Sequence, residues 1–197
     1  MSTEFVIATC GNIEEVAWLQ KLCDSKGYSI KVYDKCGSCN GIKNCTALEN
    51  KGREQDTWLN YIISNYSNLT DRVVFLPTPI EKYMPRRYCL MSALEGKNSL
   101  EFNPEILGEW ENFTITEWGG NVVTPPASIR PFRKWYEYHF GTWDPNKRFA
   151  FNGACITTRE RILRTSLSKF QELREETRHD ENPEAGHYLE RAMNTLY

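Results

Sequence analysis

The chain has 197 residues, 40% of them apolar and 25% charged, with a formal net charge of -2. That is enough chain to bury one globular core, and a charge so near neutral provides no global field for nucleic acid or an anionic membrane. No apolar run reaches the roughly 20 residues that cross a bilayer, and MSTEFVIATC lacks the basic and long apolar regions of a signal peptide, so a cytoplasmic protein is expected.

FVIATC (5–10) is a β-branched apolar run that stops at Gly11-Asn12, which predicts a buried strand and a turn. In the next stretch Val16, Leu19, Leu22 and Cys23 recur at helical spacing up to Gly27, a helix stop signal. SIKVYDK (29–35) alternates as a second strand, followed by a Cys/Gly/Asn loop. A helix is predicted after Asn50 as its cap, with Trp58, Leu59, Ile62, Ile63 and Tyr66 as one apolar stripe, and RVVFLP (72–77) reads as a third strand. Strand-helix-strand-helix-strand at this spacing predicts a right-handed, doubly wound parallel sheet with helices on both faces. Ligands of such sheets bind beyond the carboxyl ends of the strands, here Thr9 to Asn12, Asp34 to Cys36 and Pro77 to Glu81.

After residue 80 the pattern changes. A helix is expected around 82–94, a strand at FTITEW (113–118), a short helix in FRKWYEYHFG, a last strand in 148–158 and two closing helices, 159–178 and 183–197. No internal repeat or low-complexity tract stands out.

The helix starting near Asn50 would carry Lys51 and Arg53 in its first turn, where free N–H groups and the macrodipole already favour an anion such as a diphosphate. The competing reading pairs Arg53 with Glu49, Glu54 or Asp56 on a solvated face. Asp34, closing the second strand, either accepts hydrogen bonds from a base or ribose or caps its own turn. Cys36, Cys39 and Cys45 suggest zinc or a redox pair, but a second pair of ligands is missing. With seven cysteines in all, an odd number, free thiols in a reducing compartment fit better, and the four Asn-x-Ser/Thr sequons at Asn44, Asn65, Asn68 and Asn112 are then idle. Glu184 and His187 stand three apart at a helix start, a carboxylate and an imidazole that together could hold a hydroxyl and take its proton, or could simply cap and pack.

NKGREQDTWLNYIISNYSNL with RVVFL, FAFNGACITTRERIL and PEAGHYLERAMNTLY together resemble a family of fungal, bacterial and viral proteins labelled as a domain of unknown function, in the same order from Phe5 to Tyr197. That family looks like GT-A glycosyltransferases. The resemblance implies an α/β, GT-A-like, Rossmann-type, mostly parallel sheet in one domain spanning 1–197, with a nucleotide-binding half (1–80) and an acceptor-side half (81–197). It implies Thr9, Asp34 and Arg53 on the donor, Gly153 and Arg159 on the acceptor side, and Glu184 as base beside His187. A divalent Mn²⁺ or Mg²⁺ would be held by Glu81 alone, since the strand runs into PTPIEKY where such enzymes carry Asp-x-Asp. Without metal, Arg53, Lys82, Arg86 or Arg87 would have to neutralise the diphosphate.

The activity expected is transfer of a sugar from a nucleotide-diphosphate sugar, UDP-linked, to a hydroxyl of a glycan or small molecule. The alternative is a non-catalytic nucleotide- or carbohydrate-binding protein on the same fold, and a third reading is a zinc-binding module built on the cysteine loop. No nucleic-acid partner and no transmembrane segment are expected.

Overall fold

A computed structural model of the protein describes residues 1–37, 39, 41–99, 105–149 and 153–196. The central sheet has the order β3-β2-β1-β4-β7, built from β1 (Thr3–Thr9), β2 (Ser29–Asp34), β3 (Cys45–Ala47), β4 (Arg72–Pro77) and β7 (Cys155–Thr158). β1 pairs in parallel with β2 and β4, and β2 with β3, whereas β7 runs antiparallel to β4. The sheet is therefore mostly parallel, as expected, with an antiparallel edge.

Helices cover both faces, so the central strands are buried on both sides and read as unbroken apolar runs. Alternation sends Phe5 and Ile7 of β1 to one face, against Val16 and Leu19 of α1 (Ile13–Lys26) and Cys89 and Leu90 of α3 (Met84–Leu94). Val6 and Ala8 face the other side. There α2 (Arg53–Asn65) presents Trp58, Leu59 and Ile62, backed by α4 (Phe132–Phe140), α6 (Leu167–Thr177) and α7 (Glu184–Leu196). A short α5 (Arg159–Ile162) follows β7 directly. No helix among the described residues is long and apolar enough to cross a membrane.

Several expectations are corrected. α2 begins at Arg53 with Gly52 as its cap, two residues after the predicted Asn50, and both Gly52 (φ 65°) and Arg53 (φ 56°) are left-handed. The predicted strand at 113–118 survives only as Glu117–Trp118 (β5), which forms a tiny hairpin with Asn121–Val122 (β6). Gly119 and Gly120 both take positive φ there, as a two-residue hairpin turn requires. The strand predicted over 148–158 is regular only from Cys155, and its residues 150–152 lie outside the described residues, as does Tyr197 of the last helix. The single helix expected at 159–178 is two, parted at 163–166.

The cysteine reading is overturned too. Cys10 is bridged to Cys36 and Cys39 to Cys45, while Cys23, Cys89 and Cys155 are free and buried. The odd count thus conceals two disulfides and three core thiols, and the sulfurs proposed for zinc are consumed by the bridges.

Candidate functional site

In this strand order the chain moves from β1 outward to β2 and β3, then returns through α2 to β4 on the other side of β1. The carboxyl ends of β1 and β4 therefore border the crevice where the winding reverses, the place at which open α/β sheets bind ligands. A cleft of about 540 Å³ opens there, over Ala8, Thr9 and Cys10 of one strand end and Pro77 and Thr78 of the other. That is the size of a small-molecule site. Its remaining wall holds Lys35, Asn50, Arg53, Glu54 and Arg86, the loop residues Asp180, Glu181 and Asn182, and Trp118, Asn121 and Val122 of the small hairpin.

Gly52 explains how this wall is assembled. A Cβ on it would stand 2.7 Å from Cβ of Asp56 and 2.8 Å from the Thr177 carbonyl oxygen, so only glycine admits α6 so close to the start of α2. The N–H groups of Gly52 and Arg53 donate to the carbonyls of Asp180 (2.7 Å) and Glu181 (3.2 Å). On the inner side the Lys35 ammonium donates to the carbonyls of Lys51 and Arg53 and lies 3.9 Å from Asp56. Burial lowers the Lys35 pKa to about 8. The helix start predicted to wait for an anion has thus already spent these two N–H groups on the protein, and Lys51 turns outward to pair with Glu49 at 3.0 Å.

Arg53 does reach the cleft, but its guanidinium is gripped from behind. Nη1 lies 2.7 Å from Nδ1 of His187 and 3.3 Å from Oε2 of Glu190, and Nη2 lies 3.6 Å from Oε1 of Glu54. Because arginine can only donate, His187 accepts at Nδ1 and carries its proton on Nε2, which donates to Oδ1 of Asn182 at 2.9 Å. Asn182 in turn donates to the Val122 carbonyl at 3.2 Å. A chain of hydrogen bonds therefore runs from the hairpin at the cleft mouth through Asn182 and His187 to Arg53. Burial pushes Glu190 above the usual carboxylate range. Burial also acts to raise Glu54, but Arg53 and Arg86 outweigh it and hold Glu54 low.

His187 is 1% exposed, and burial, reinforced by Arg53 and Arg191, lowers its pKa from 6.5 to about 3. The folded protein thus binds this proton less readily than the unfolded chain. Stability is full above pH 6.5 and is lost as the pH falls towards 3. Urea unfolding is expected to show this group removing about 2 kcal/mol between pH 6.5 and about pH 5. A His187→Gln variant should lack that slope, and an unchanged slope would reject the assignment.

The other predicted site residues separate. Gly153 belongs to the site's support: φ is 71°, a Cβ there would meet Glu54 Oε1 at 2.5 Å, and its carbonyl accepts the Trp58 indole N–H at 3.0 Å. Arg159 does not, because β7 is antiparallel and carries the chain to the opposite edge of the sheet, where Arg159 pairs with Asp71 at 3.5 Å. Thr9 lines the cleft and accepts from Thr78 Oγ1 at 2.9 Å. Asp34 is buried outside the lining: Oδ1 accepts the Cys36 N–H at 3.1 Å, and Gly37 packs so closely that a Cβ would fall 2.4 Å from Oδ2. It caps its turn.

Glu184 is fully buried and also outside the cleft. Oε1 accepts from Ile115 N–H (2.9 Å) and the Tyr188 hydroxyl (3.0 Å), and Oε2 from Ala127 N–H (2.9 Å) and Arg130 Nε (2.9 Å). With both oxygens engaged and no exposure, its carboxylate is a clamp rather than a base in contact with an acceptor. Glu81 is exposed and outside the lining, and its N–H donates to Oε1 of Glu15 at 3.2 Å. Among the described residues no group of three His, Cys, Asp or Glu converges as metal ligands would.

Sequence reasoning missed Lys35, Glu190, Glu181 and Asn182, whereas Glu54 was already one of the carboxylates offered to Arg53 and does lie 3.6 Å from it. Glu190 was within reach, three residues past His187 on the same helical face; Asn182 and Glu181 sit in a loop without periodicity. Among curated proteins none matches the chain. Residues 5–85, from β1 into the first turn of α3, match the model of the family described as a protein of unknown function (DUF3431), in agreement with the resemblance to a family labelled in that way.

Proposed function

We propose that this cleft transfers a glycosyl group from a nucleotide-diphosphate sugar, UDP-linked, to a hydroxyl of a glycan or small acceptor, on a GT-A-like fold. One observation carries the reading. The three motifs, far apart in sequence, meet at and behind two residues of the cleft wall, Arg53 and Glu54: Gly52 precedes them, Gly153 packs against Glu54, and Gly186-His187 with Glu190 lies against Arg53, whose Cδ would be 3.7 Å from a Cβ on Gly186.

The acceptor oxygen forms a bond to the anomeric carbon while the bond from that carbon to the diphosphate breaks, and the diphosphate leaves with the electron pair. The transition state has oxocarbenium character. Lys35, Arg53 and Arg86 are tethered by protein groups, so they act as a fixed positive field on the leaving group rather than as flexible clamps. Glu181 takes the acceptor's proton, because it is an exposed residue of the cleft lining and Glu184 is not.

Calorimetry with UDP, with and without Mn²⁺, followed by donor turnover assays, tests the reading; a cleft that binds no nucleotide defeats it. Glu181→Gln is expected to reduce turnover by about 100-fold with UDP affinity unchanged. The second reading, a non-catalytic nucleotide- or carbohydrate-binding protein, is favoured by the neutralisation of Arg53 by Glu54 and Glu190. Its signature is binding without turnover, indifferent to Glu181→Gln.

A further inference from the structure

Disulfides persist where the compartment is oxidising, and this chain closes two, Cys10–Cys36 and Cys39–Cys45. Each requires two thiols to give up two protons and two electrons to a protein disulfide, which is reduced to its dithiol. An oxidising secretory compartment is also where Asn-x-Ser/Thr becomes an acceptor sequence, so the sequons that a reducing environment would leave idle gain a chemical meaning.

Their placement separates them. Asn65 is the last residue of α2, half-buried, with Oδ1 accepting from Lys31 Nζ (3.1 Å) and Nδ2 donating to the Tyr61 carbonyl (2.7 Å). A glycan on that nitrogen would break the helix-end contact. Asn44 lies inside the Cys39–Cys45 loop with a left-handed φ of 51°. Asn68 and Asn112, by contrast, are exposed, and the bond that Asn112 Nδ2 gives to Oε1 of Glu111 (3.3 Å) lies at the surface. Asn68 sits between α2 and β4, at the amino edge of the sheet and thus opposite the cleft, and Asn112 follows a 3₁₀ turn at Leu107–Trp110. Neither lines the cleft, so an attached glycan would leave it open.

We infer that Asn68 and Asn112 are N-glycosylation sites of a chain that matures in an oxidising compartment. At each, Nδ2 forms a bond to the anomeric carbon of an oligosaccharide supplied as a lipid-linked diphosphate, the carbon–diphosphate bond breaks, and one amide proton is lost with the lipid diphosphate as leaving group. The inference does not depend on the function of the cleft.

The test is mass spectrometry of the protein from its native source, alkylated without reductant and treated with peptide-N-glycosidase in heavy-oxygen water. Expected are aspartate bearing heavy oxygen at positions 68 and 112, unconverted Asn65, and peptides cross-linked Cys10 to Cys36 and Cys39 to Cys45. Unmodified asparagine at both positions overturns the inference, and at one overturns it for that site. Alkylated Cys10 and Cys36 overturn the oxidising compartment. As a second readout, Asn68→Gln and Asn112→Gln should each remove one glycan-sized step in gel mobility while leaving the melting temperature of the deglycosylated protein unchanged.

Discussion

Glu184→Ala is expected to lower the free energy of unfolding by about 4 kcal/mol, with nucleotide affinity of the remaining folded protein unchanged. The carboxylate is 0% exposed and fixes two backbone N–H groups, those of Ile115 and Ala127, together with Arg130 and Tyr188. Most of segment 113–131 has no regular secondary structure, so these N–H groups have no ladder to fall back on. Truncation leaves both unpaired away from water, and the negative charge is also lost from the start of α7, where the macrodipole favours it. Glu184→Gln should recover part of the loss, because one amide oxygen can still accept while its NH₂ confronts a donor. Urea unfolding decides the point: an alanine variant within 1 kcal/mol of the parent would show that the clamp carries little, and a fall in turnover without a fall in stability would restore Glu184 as the base.

Gly52→Ala is expected to cost about 3 kcal/mol, made of a left-handed conformational penalty and a steric one. The added methyl would press on Asp56 at 2.7 Å and on the Thr177 carbonyl at 2.8 Å. Asp56 cannot yield freely, since Oδ1 is held by Arg174 at 2.8 Å. Gly27 provides the comparison: it caps α1 at φ 68°, and a Cβ there would have nothing within 4 Å. Gly27→Ala should therefore cost only the conformational part, about 1 kcal/mol. Equal losses at the two glycines would remove the close approach of α6 from the explanation. A fall in nucleotide binding in Gly52→Ala, absent from Gly27→Ala, would tie the same packing to the cleft.

Hydrophobic pattern was a good guide to the first 80 residues because the elements there, β3 apart, are long relative to their period. β1 and β4 are buried on both faces and thus read as apolar runs, β2 alternates, and α2 buries Trp58, Leu59 and Ile62 of its stripe. It was a poor guide after residue 94. The hairpin of Glu117–Trp118 and Asn121–Val122 is too short to have a period, and for the same reason the three-residue edge strand β3, Cys45–Ala47, escaped notice within the first 80 residues. Ile115, which alternation places in a strand, is buried because Glu184 holds its N–H, a contact 69 residues away along the chain.

What the sequence determined alone was local. Gly52 and Gly153 with their neighbours were visible as motifs, because a glycine required for close approach leaves a mark on the sequence itself. What tertiary structure decided was which groups remain free. The antiparallel β7 set Gly153 behind Glu54 of the cleft wall and carried Arg159 to the opposite edge, and the pairing of the start of α2 with Asp180 and Glu181 used up N–H groups expected to meet an anion. Burial then divided the carboxylates, enclosing Glu184 and Glu190 and leaving Glu181 at the wall. Solvation and partner choice depend on contacts across the whole chain, and the order of residues encodes them only through the fold.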